Sequence, residues 1–519
     1  MATQPEKRPW TVMIYMIADD PAGGELLDQQ ANQELDEIVY AALGPDERDK
    51  MYVAVQVDFR NQPDVWRRVI GKGTWIQPET SAADPATLYG FFDWVSRACP
   101  AYRYLLMFWG HSRGPFGLFT DRPFSSPMAG PFANEDSRSY VAQTLTLREL
   151  RLALSNAKEC LRQQVDIIAF KDCFMSTLET AYELRDWVNY VLASPDIVPI
   201  PGWPYQKMFS HIASGKDSRP TAEALLNALD EHYEIEDNKH GRKHVPYTLL
   251  DTSALSGVTG PLDSITKALD DSAAMRKALL AASPNDPALV DVGIVCQRLR
   301  AMKKADLEEP LDKLEKAISQ VVLKRSSNGE KPAAKGRKKA GQSNTSPDDG
   351  SAGVSLFYGP SETGQQKSMV SPHATRGVYD DLVLSKETKW KSSFAFKAMP
   401  PDTPPSPSAQ MPSYSASYGG NSLLPGILQE LERGVLEQVA RRLGFGKEMG
   451  FGKEMGFGKE MGFGKEMGFG KEMGFGKEMG FGKEMGFAAL VGIVPTNEPG
   501  SAGAGIKRAG TKKTKNGKS

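Results

Sequence analysis

Short apolar runs alternate with amphipathic segments along roughly the first 260 residues. Five runs bounded by polar residues are typical of buried strands: WTVMIYMIA (10–18), MYVAVQVD (51–58), YLLMFW (104–109), VDIIAF (165–170) and YVLAS (190–194). Three segments between them have helical spacing: ELLDQQANQELDEIVYAAL (25–43), PATLYGFFDWVSRA (85–98) and LTLRELRLALSNAKECL (145–161). This order predicts an α/β fold, a mostly parallel sheet with helices on both faces.

The same pattern continues for another hundred residues. YTLLDTS (247–253) and SAGVSLFYGP (351–360) are predicted to be further strands, and ITKALDDSAAMRKALLAA (265–282) and LEEPLDKLEKAISQVVLKR (307–325) to be helices. The intervening basic, Ser/Gly-rich residues, about 324–350, indicate an exposed flexible loop. Residues 1–400 are therefore predicted to form one domain.

The character of the chain changes after residue 400. A Pro/Ser-rich linker (401–422) precedes an amphipathic helix (423–443), a GFGKEM tandem repeat (444–487) and a basic tail (488–519). An extended repeat would place Phe, Lys and Met on one face, which favours self-association or a regulatory partner through 423–519. The alternative is a flexible linker, because one repeat residue in three is glycine.

Composition narrows the functional class. The net charge of −1 over 519 residues gives no general attraction to nucleic acid or anionic membranes, so no specific nucleic-acid partner is expected. No segment reaches the roughly 20 apolar residues of a transmembrane span, and the N-terminus lacks a signal-peptide pattern. The four cysteines show no CxxC spacing, and no zinc, EF-hand or Walker motif is present. We expect a cytoplasmic protein without a cofactor or metal.

Cys173 and His111 are the candidate reactive residues. Cys173 follows the predicted strand 165–170 and precedes a helical pattern, so its thiol should lie at the carboxyl end of a strand and near a helix N-terminus. His111 follows the predicted strand 104–109. Two neighbouring parallel strands would bring both side chains to one edge, where imidazole can activate a thiol. Taken singly, each residue has a structural alternative, a small buried hydrophobe or a packed imidazole.

Several ordered motifs resemble the clostripain-like cysteine peptidases of the caspase-like clan. They are WTVMIYMIADD, PAYRYLLMFWGHSRG, VDIIAFKDCFMSTLETAYEL, YVLASPDIVPIPGWPY, ALVDVGIVCQRL and GVSLFYGP. The resemblance covers about residues 10–360 and implies a His111–Cys173 dyad that hydrolyses protein or peptide substrates through a thioester. It also implies that the backbone N–H groups of Ser112 and Cys173 hold the oxyanion.

The chain departs from the family pattern at the substrate pocket and beside the histidine. The family has glycine where Ser112 stands; if that position needs a positive φ, Ser112 is strained. The family has aspartate two residues before the cysteine, in the pocket that selects Arg or Lys, whereas this chain has Lys171, followed by Asp172. Lys171 predicts that an acidic or uncharged residue is favoured before the cut. The alternatives are that Lys171 turns to solvent or that Asp172 restores the basic preference.

Three functional hypotheses follow. The intact dyad favours an active cysteine endopeptidase. The substitutions at Ser112 and Lys171 would suit a weak or inactive peptidase-fold binding module. The repeat and tail would suit an assembly protein.

Overall fold

The computed structural model describes residues 5–393 except 21–23, 61, 63, 122–142, 200–201, 241–244, 281–285, 287, 327–349 and 359–375. Contacts divide the chain into Met1–Gly446 and Lys447–Ser519. The predicted linker, amphipathic helix, repeat and basic tail lie outside the described residues, as does most of the predicted basic loop.

Thirteen strands are described. They are β1 (Arg8–Ile17), β2 (Met51–Asp58), β3 (Asp64–Val69), β4 (Gly73–Pro78), β5 (Ala101–Trp109), β6 (Leu118–Asp121), β7 (Gln143–Leu145), β8 (Val165–Lys171), β9 (Val188–Ala193), β10 (Thr248–Asp251), β11 (Leu289–Asp291), β12 (Val322–Arg325) and β13 (Ser355–Phe357). Nine of them form one sheet in the order β12-β10-β9-β8-β5-β1-β2-β3-β4. The pairs β6–β7 and β11–β13 form two small antiparallel sheets.

The nine-stranded sheet is mostly parallel, as predicted. Its five central strands, β9, β8, β5, β1 and β2, pair in parallel. The outer strands pair antiparallel, so β3 and β10 run against the other seven. The carboxyl ends of the central strands therefore share one edge, where ligands of open α/β sheets bind.

Thirteen α-helices are found among the described residues. They are α1 (Gly24–Ala42), α2 (Pro45–Lys50), α3 (Pro85–Ala98), α4 (Leu147–Leu161), α5 (Leu178–Leu184), α6 (Tyr205–Ser214), α7 (Ser218–His240), α8 (Thr259–Asp270), α9 (Ala273–Leu280), α10 (Val292–Arg300), α11 (Ala305–Val321), α12 (Arg376–Asp380) and α13 (Val383–Glu387). Local sequence sets several boundaries: α4 begins with a reciprocal capping box between Thr146 and Glu149, which satisfies amides that the first turn leaves unpaired.

Helices cover both faces of the sheet, because alternate residues of each central strand are buried on opposite sides. On one face, Met13, Tyr15 and Ile17 of β1 join a core that contains the apolar sides of α3 and α4. On the other face, Val12 and Ile14 are also buried, and α6 and α7 pack against β1 and β8. The predicted fold class is confirmed.

Several predicted elements differ from those observed. The helix predicted over 265–282 is two helices, because the chain turns at Asp271 and Ser272. The end of the helix predicted over 307–325 is instead the edge strand β12. β13 lies within the strand predicted over 351–360 but pairs with β11 outside the main sheet. The hydrophobic pattern does not predict the β3–β4 hairpin, because β4 is largely exposed and shows no buried apolar run.

We expect the protein shortened to residues 1–400 to fold by itself with the melting transition of the full chain. The last described segment contains Trp390, which is 1% exposed and donates a hydrogen bond from Nε1 to the Phe357 carbonyl oxygen at 2.8 Å. Calorimetry measures the melting transitions of two shortened proteins, one ending at residue 400 and one at residue 375. The chain ending at 375 loses Trp390 and should be destabilised by about 3–5 kcal/mol. An insoluble 1–400 protein would contradict the boundary.

Candidate active site

Adjacent parallel strands place His111 and Cys173 at equivalent positions. β5 and β8 pair in register to their last residues, Trp109 opposite Lys171. His111 and Cys173 each lie two residues beyond this final pair. The structure thus puts both side chains at the carboxyl edge of the sheet on neighbouring strands, as the sequence predicted.

Hydrogen bonds contact both the sulfur of Cys173 and the backbone that follows it. The Val198 amide donates to Cys173 Sγ at 3.4 Å, and the Phe174 amide donates to the Asp196 carbonyl oxygen at 3.0 Å. An N–H group that donates to sulfur favours the charged thiolate over the thiol. Cys173 is 5% exposed, so the residue is almost completely buried.

Two phenylalanines beside the candidate pair have left-handed backbone conformations. Phe174, which follows Cys173, has φ 57°, and Phe119, whose amide donates to the His111 carbonyl oxygen at 2.8 Å, has φ 55°. Such a conformation costs a bulky residue about 1–3 kcal/mol and persists where surrounding contacts impose it. Both rings are buried, so packing holds the strained turns next to the two reactive side chains.

Burial controls the protonation of His111. The side chain is 8% exposed, and its burial lowers the pKa of the imidazole below the usual 6.5. The nearby Asp20 carboxylate raises that pKa, and the Arg113 guanidinium lowers it further. The imidazole is therefore neutral at pH 7, the form that accepts a proton from a thiol.

The Ser112 backbone shows no left-handed strain. It is not among the described non-glycine residues with positive φ, so the strain considered from the sequence does not arise. Its neighbours close a small turn: the Arg113 amide donates to Gly117 and the Phe119 amide to His111. Neither bond uses the Ser112 N–H, whose predicted oxyanion role stays a prediction.

The Ser112 side chain joins the two loops that carry His111 and Cys173. Its hydroxyl donates a hydrogen bond to the Cys173 carbonyl oxygen, and the serine is 7% exposed. Glycine, the family's residue at this position, could not form that bond.

Lys171 does not turn to solvent. Its side chain is 3% exposed and forms an ion pair with Glu34 of α1, which is 1% exposed. Tyr205 donates its hydroxyl to the other Glu34 oxygen at 2.5 Å, and the Lys171 ammonium lies 5.4 Å from the centre of the Trp109 ring. The cation at the position of the family's aspartate thus has its own buried counter-ion, which the sequence pattern does not reveal.

Asp172 is completely buried. Neither carboxylate oxygen has a hydrogen-bond partner among the described residues, and burial raises the pKa of the carboxyl well above its usual range. A side chain with no exposed surface does not contact a substrate in this conformation. Its predicted place in the substrate pocket depends on a rearrangement.

The helix after Cys173 begins later than the sequence suggested. α5 starts at Leu178, and the Thr177 side chain accepts a hydrogen bond from the Thr180 amide as its cap. Because helix-dipole effects fade within the first turn, the support expected for the thiolate from a helix N-terminus is weak here. The Val198 amide is one polar contact that the structure places at the sulfur.

A group of acidic residues, buried or half-buried, lies at the carboxyl ends of β1, β2, β4 and β6, and the hydrophobic pattern does not single it out. Its members are Asp19, Asp20, Asp58, Glu79 and Asp121. Burial and the neighbouring carboxylates raise the pKa of Asp19 to about 7 and that of Asp58 well above its usual range. No group of three or more His, Cys, Asp or Glu side chains with the arrangement of a metal site occurs in the described part of the chain.

These observations define a class of protein: an α/β protein with a mostly parallel sheet, in which a histidine and a cysteine follow adjacent strands at the carboxyl edge. A family model identifies the chain more specifically than this class does. The model of the clostripain family, peptidase family C11, matches residues 14–330, and the chain belongs to that family. No helix among the described residues is both long and apolar enough to cross a membrane.

Relatives of known identity are distant. Clostripain of Hathewaya histolytica is 23% identical over 262 residues, which are 43% of this chain and 46% of clostripain. The match therefore spans slightly less than half of that relative. A secreted C11 cysteine protease of Bacteroides thetaiotaomicron, solved with an irreversible peptide inhibitor, is 17% identical, with 74% of this chain and 99% of that chain covered at a TM-score of 0.47. An inactive zymogen C11 protease of Parabacteroides distasonis is 19% identical, with the same coverage and TM-score.

Proposed function

We propose that this protein is a cysteine endopeptidase whose nucleophile is Cys173 and whose acid–base residue is His111. The observation that carries the proposal is the equivalent placement of the two residues beyond the last register pair of β5 and β8. Membership of the clostripain family supports the same assignment.

The proposed reaction is acyl transfer to sulfur and then to water. The neutral His111 imidazole takes the Cys173 thiol proton as the sulfur attacks the peptide carbonyl carbon. The N–H groups of Ser112 and Cys173 bind the resulting oxyanion. As the C–N bond breaks, imidazolium gives its proton to the leaving amine, and a thioester remains. His111 then deprotonates a water molecule that cleaves the thioester, and the proton returns to the thiolate.

Incubation with a randomised peptide library tests the activity, with cut sites identified by mass spectrometry. The wild-type protein should cut within peptides, and the Cys173→Ala protein should leave the same library intact. A wild-type protein that cuts nothing and does not react with a thiol-directed peptide probe would be a binding module instead.

The pH dependence of kcat/KM should report the lowered pKa of His111. Because protonated imidazole cannot accept the thiol proton, activity falls as pH drops through that pKa, and the midpoint should lie below 6.5. Arg113→Gln removes a positive charge and should move the acid limb to higher pH. Asp20→Asn removes a negative charge and should move it to lower pH. Shifts of both variants in one direction would contradict the assignment to His111.

For specificity, we propose that an acidic or uncharged residue before the cut is favoured over Arg or Lys. A carboxylate that could attract a basic substrate residue is missing at 171, and the one at 172 is buried. At about 4 Å, like unit charges repel by roughly 4 kcal/mol at an effective dielectric near 20. The ion pair of Lys171 with Glu34 reduces this repulsion, which makes an uncharged residue the best supported choice.

A panel of four peptides that differ only in the residue before the cut, Arg, Gln, Leu or Glu, decides the specificity. We expect the Gln or Leu peptide to have the highest kcat/KM and the Arg peptide a low one. Efficient cleavage after Arg that is lost in Asp172→Ala and kept in Lys171→Ala would overturn this proposal and assign the pocket to Asp172.

We also propose a cytoplasmic location. None of the four cysteines, all of which lie in the described part of the chain, forms a disulfide, which suits a reducing compartment. Fractionation of the native cells tests it, and recovery of the protein outside them would contradict it. Self-association through residues 423–519 stays a prediction, which sizing with and without residues 410–519 examines.

A further inference from the structure

A side-chain hydrogen bond connects the loop of the histidine to the loop of the cysteine. The Ser112 hydroxyl donates to the Cys173 carbonyl oxygen across a sequence separation of 61 residues. Ser112 directly follows His111, and the bond lies in a site where the serine is 7% exposed. Water therefore competes weakly for this hydrogen bond.

The peptide group that receives this bond is held from both sides. Its carbonyl oxygen accepts from Ser112, and its N–H, which belongs to Phe174, donates to the Asp196 carbonyl oxygen at 3.0 Å. Phe174 has φ 57°, a conformation that a phenylalanine keeps only when its surroundings enforce it. Loss of either bond would let this peptide group rotate and relax the turn.

Relaxation of that turn would shift the Cys173 backbone and, with it, the reactive atoms. Cys173 carries the sulfur, and its backbone N–H is a predicted oxyanion donor. A displacement of about 1 Å between reacting groups can lower a rate about 100-fold. The contact also fixes the Cys173 backbone relative to the strand that carries His111.

We propose that Ser112, through its hydroxyl, is a positioning residue that holds the Cys173 peptide group in the orientation needed for attack. The inference rests on the proposed peptidase function. Under this proposal, the serine that stands where the family has glycine supports catalysis and is not evidence of an inactive site.

Steady-state kinetics test the positioning role. Ser112→Ala and Ser112→Gly both remove the hydroxyl and keep the backbone N–H. We expect kcat to fall about tenfold in each, the effect of one hydrogen bond of typical net strength, while KM changes less than about twofold. Ser112→Thr keeps a hydroxyl and should recover most of the lost kcat.

Thr388→Val is the matched control for stability. Thr388 is also 7% exposed and donates its hydroxyl to a backbone carbonyl, that of Leu384 at 2.7 Å, far from the site in sequence. The Thr388→Val variant should lower the melting temperature about as much as Ser112→Ala does, without changing kcat. A fall in kcat for Thr388→Val equal to that of Ser112→Ala would show a general loss of stability and overturn the proposal.

The alkylation rate of Cys173 by iodoacetamide at pH 7 separates the two proposals, because it needs no peptide cleavage. The labelled position is read by mass spectrometry, with Cys173→Ala as the blank. We expect Ser112→Ala to react several-fold more slowly than wild type. Unchanged alkylation and unchanged kcat would overturn the role of Ser112 while leaving the peptidase intact. If wild type cleaves nothing, the peptidase proposal fails, and the alkylation rates alone still decide on Ser112.

Discussion

Cys173→Ala should lower kcat at least about 10⁴-fold while leaving the melting temperature within a few degrees of wild type. Without the sulfur no thioester forms, and the remaining binding and oxyanion contacts supply only a small part of the rate enhancement. His111→Gln should cause a loss of similar size, because the thiol then lacks its proton acceptor. Residues that act as one unit are not additive, so the double variant should be no worse than either single variant.

The other cysteines provide the controls. Cys160, the half-buried thiol on α4, donates to the Ala157 carbonyl oxygen at 3.4 Å, and Cys160→Ala should retain full activity. Burial raises the pKa of Cys99 and Cys296 to about 12, so both stay as unreactive thiols near neutral pH. Full activity of Cys173→Ala, or labelling of any of these three in its place, would remove Cys173 from the mechanism.

Glu34→Gln and Lys171→Met should each destabilise the protein by about 3–5 kcal/mol. The two side chains form a buried ion pair, and removal of one charge leaves the other in a site that water barely reaches. Chemical unfolding with a two-state fit is the measurement. The loss is a large fraction of the usual net stability of a domain, so both proteins should be prepared at low temperature.

The double variant of Glu34→Gln and Lys171→Met tests whether the two side chains stabilise the protein as a pair or independently. Glu34→Gln keeps an oxygen that can accept the Tyr205 hydroxyl, and Lys171→Met fills the site with an uncharged chain of similar length. Together they should cost clearly less than the sum of the single changes. Arg97 and Asp93 form an exposed ion pair on α3, and neutralising either should change stability far less. Strictly additive losses for Glu34 and Lys171 would contradict the pairing.

Much of the fold could be predicted from the sequence because the relevant information is local. The strand predicted over 51–58 coincides with β2, and that predicted over 104–109 ends where β5 ends, at Trp109. An apolar run buried on both faces is visible in any short window, and so is the change to helical spacing. The hairpin strand β4 was missed because its exposed side chains do not produce such a run.

The candidate reactive residues were predictable for a related reason. A residue just past a buried strand must lie at the edge of the sheet, and parallel strands share their carboxyl edge. The positions of His111 and Cys173 were therefore fixed once the strands were recognised. The sheet order makes β5 and β8 direct neighbours in register. The hydrophobic period of a single strand does not encode that order.

The sequence by itself determined the five parallel strands at the centre of the sheet, several of the helices and which two residues reach the edge of the sheet. The tertiary structure decided what surrounds them: the ion pair of Lys171 with Glu34, 137 residues away, and the bond from Ser112 to Cys173, 61 residues away. Sequence alone placed a lysine beside the nucleophile but could not show that its charge is neutralised. The physical reason is that periodicity reports which face of an element is buried, whereas the partner of a buried charge depends on how distant elements pack.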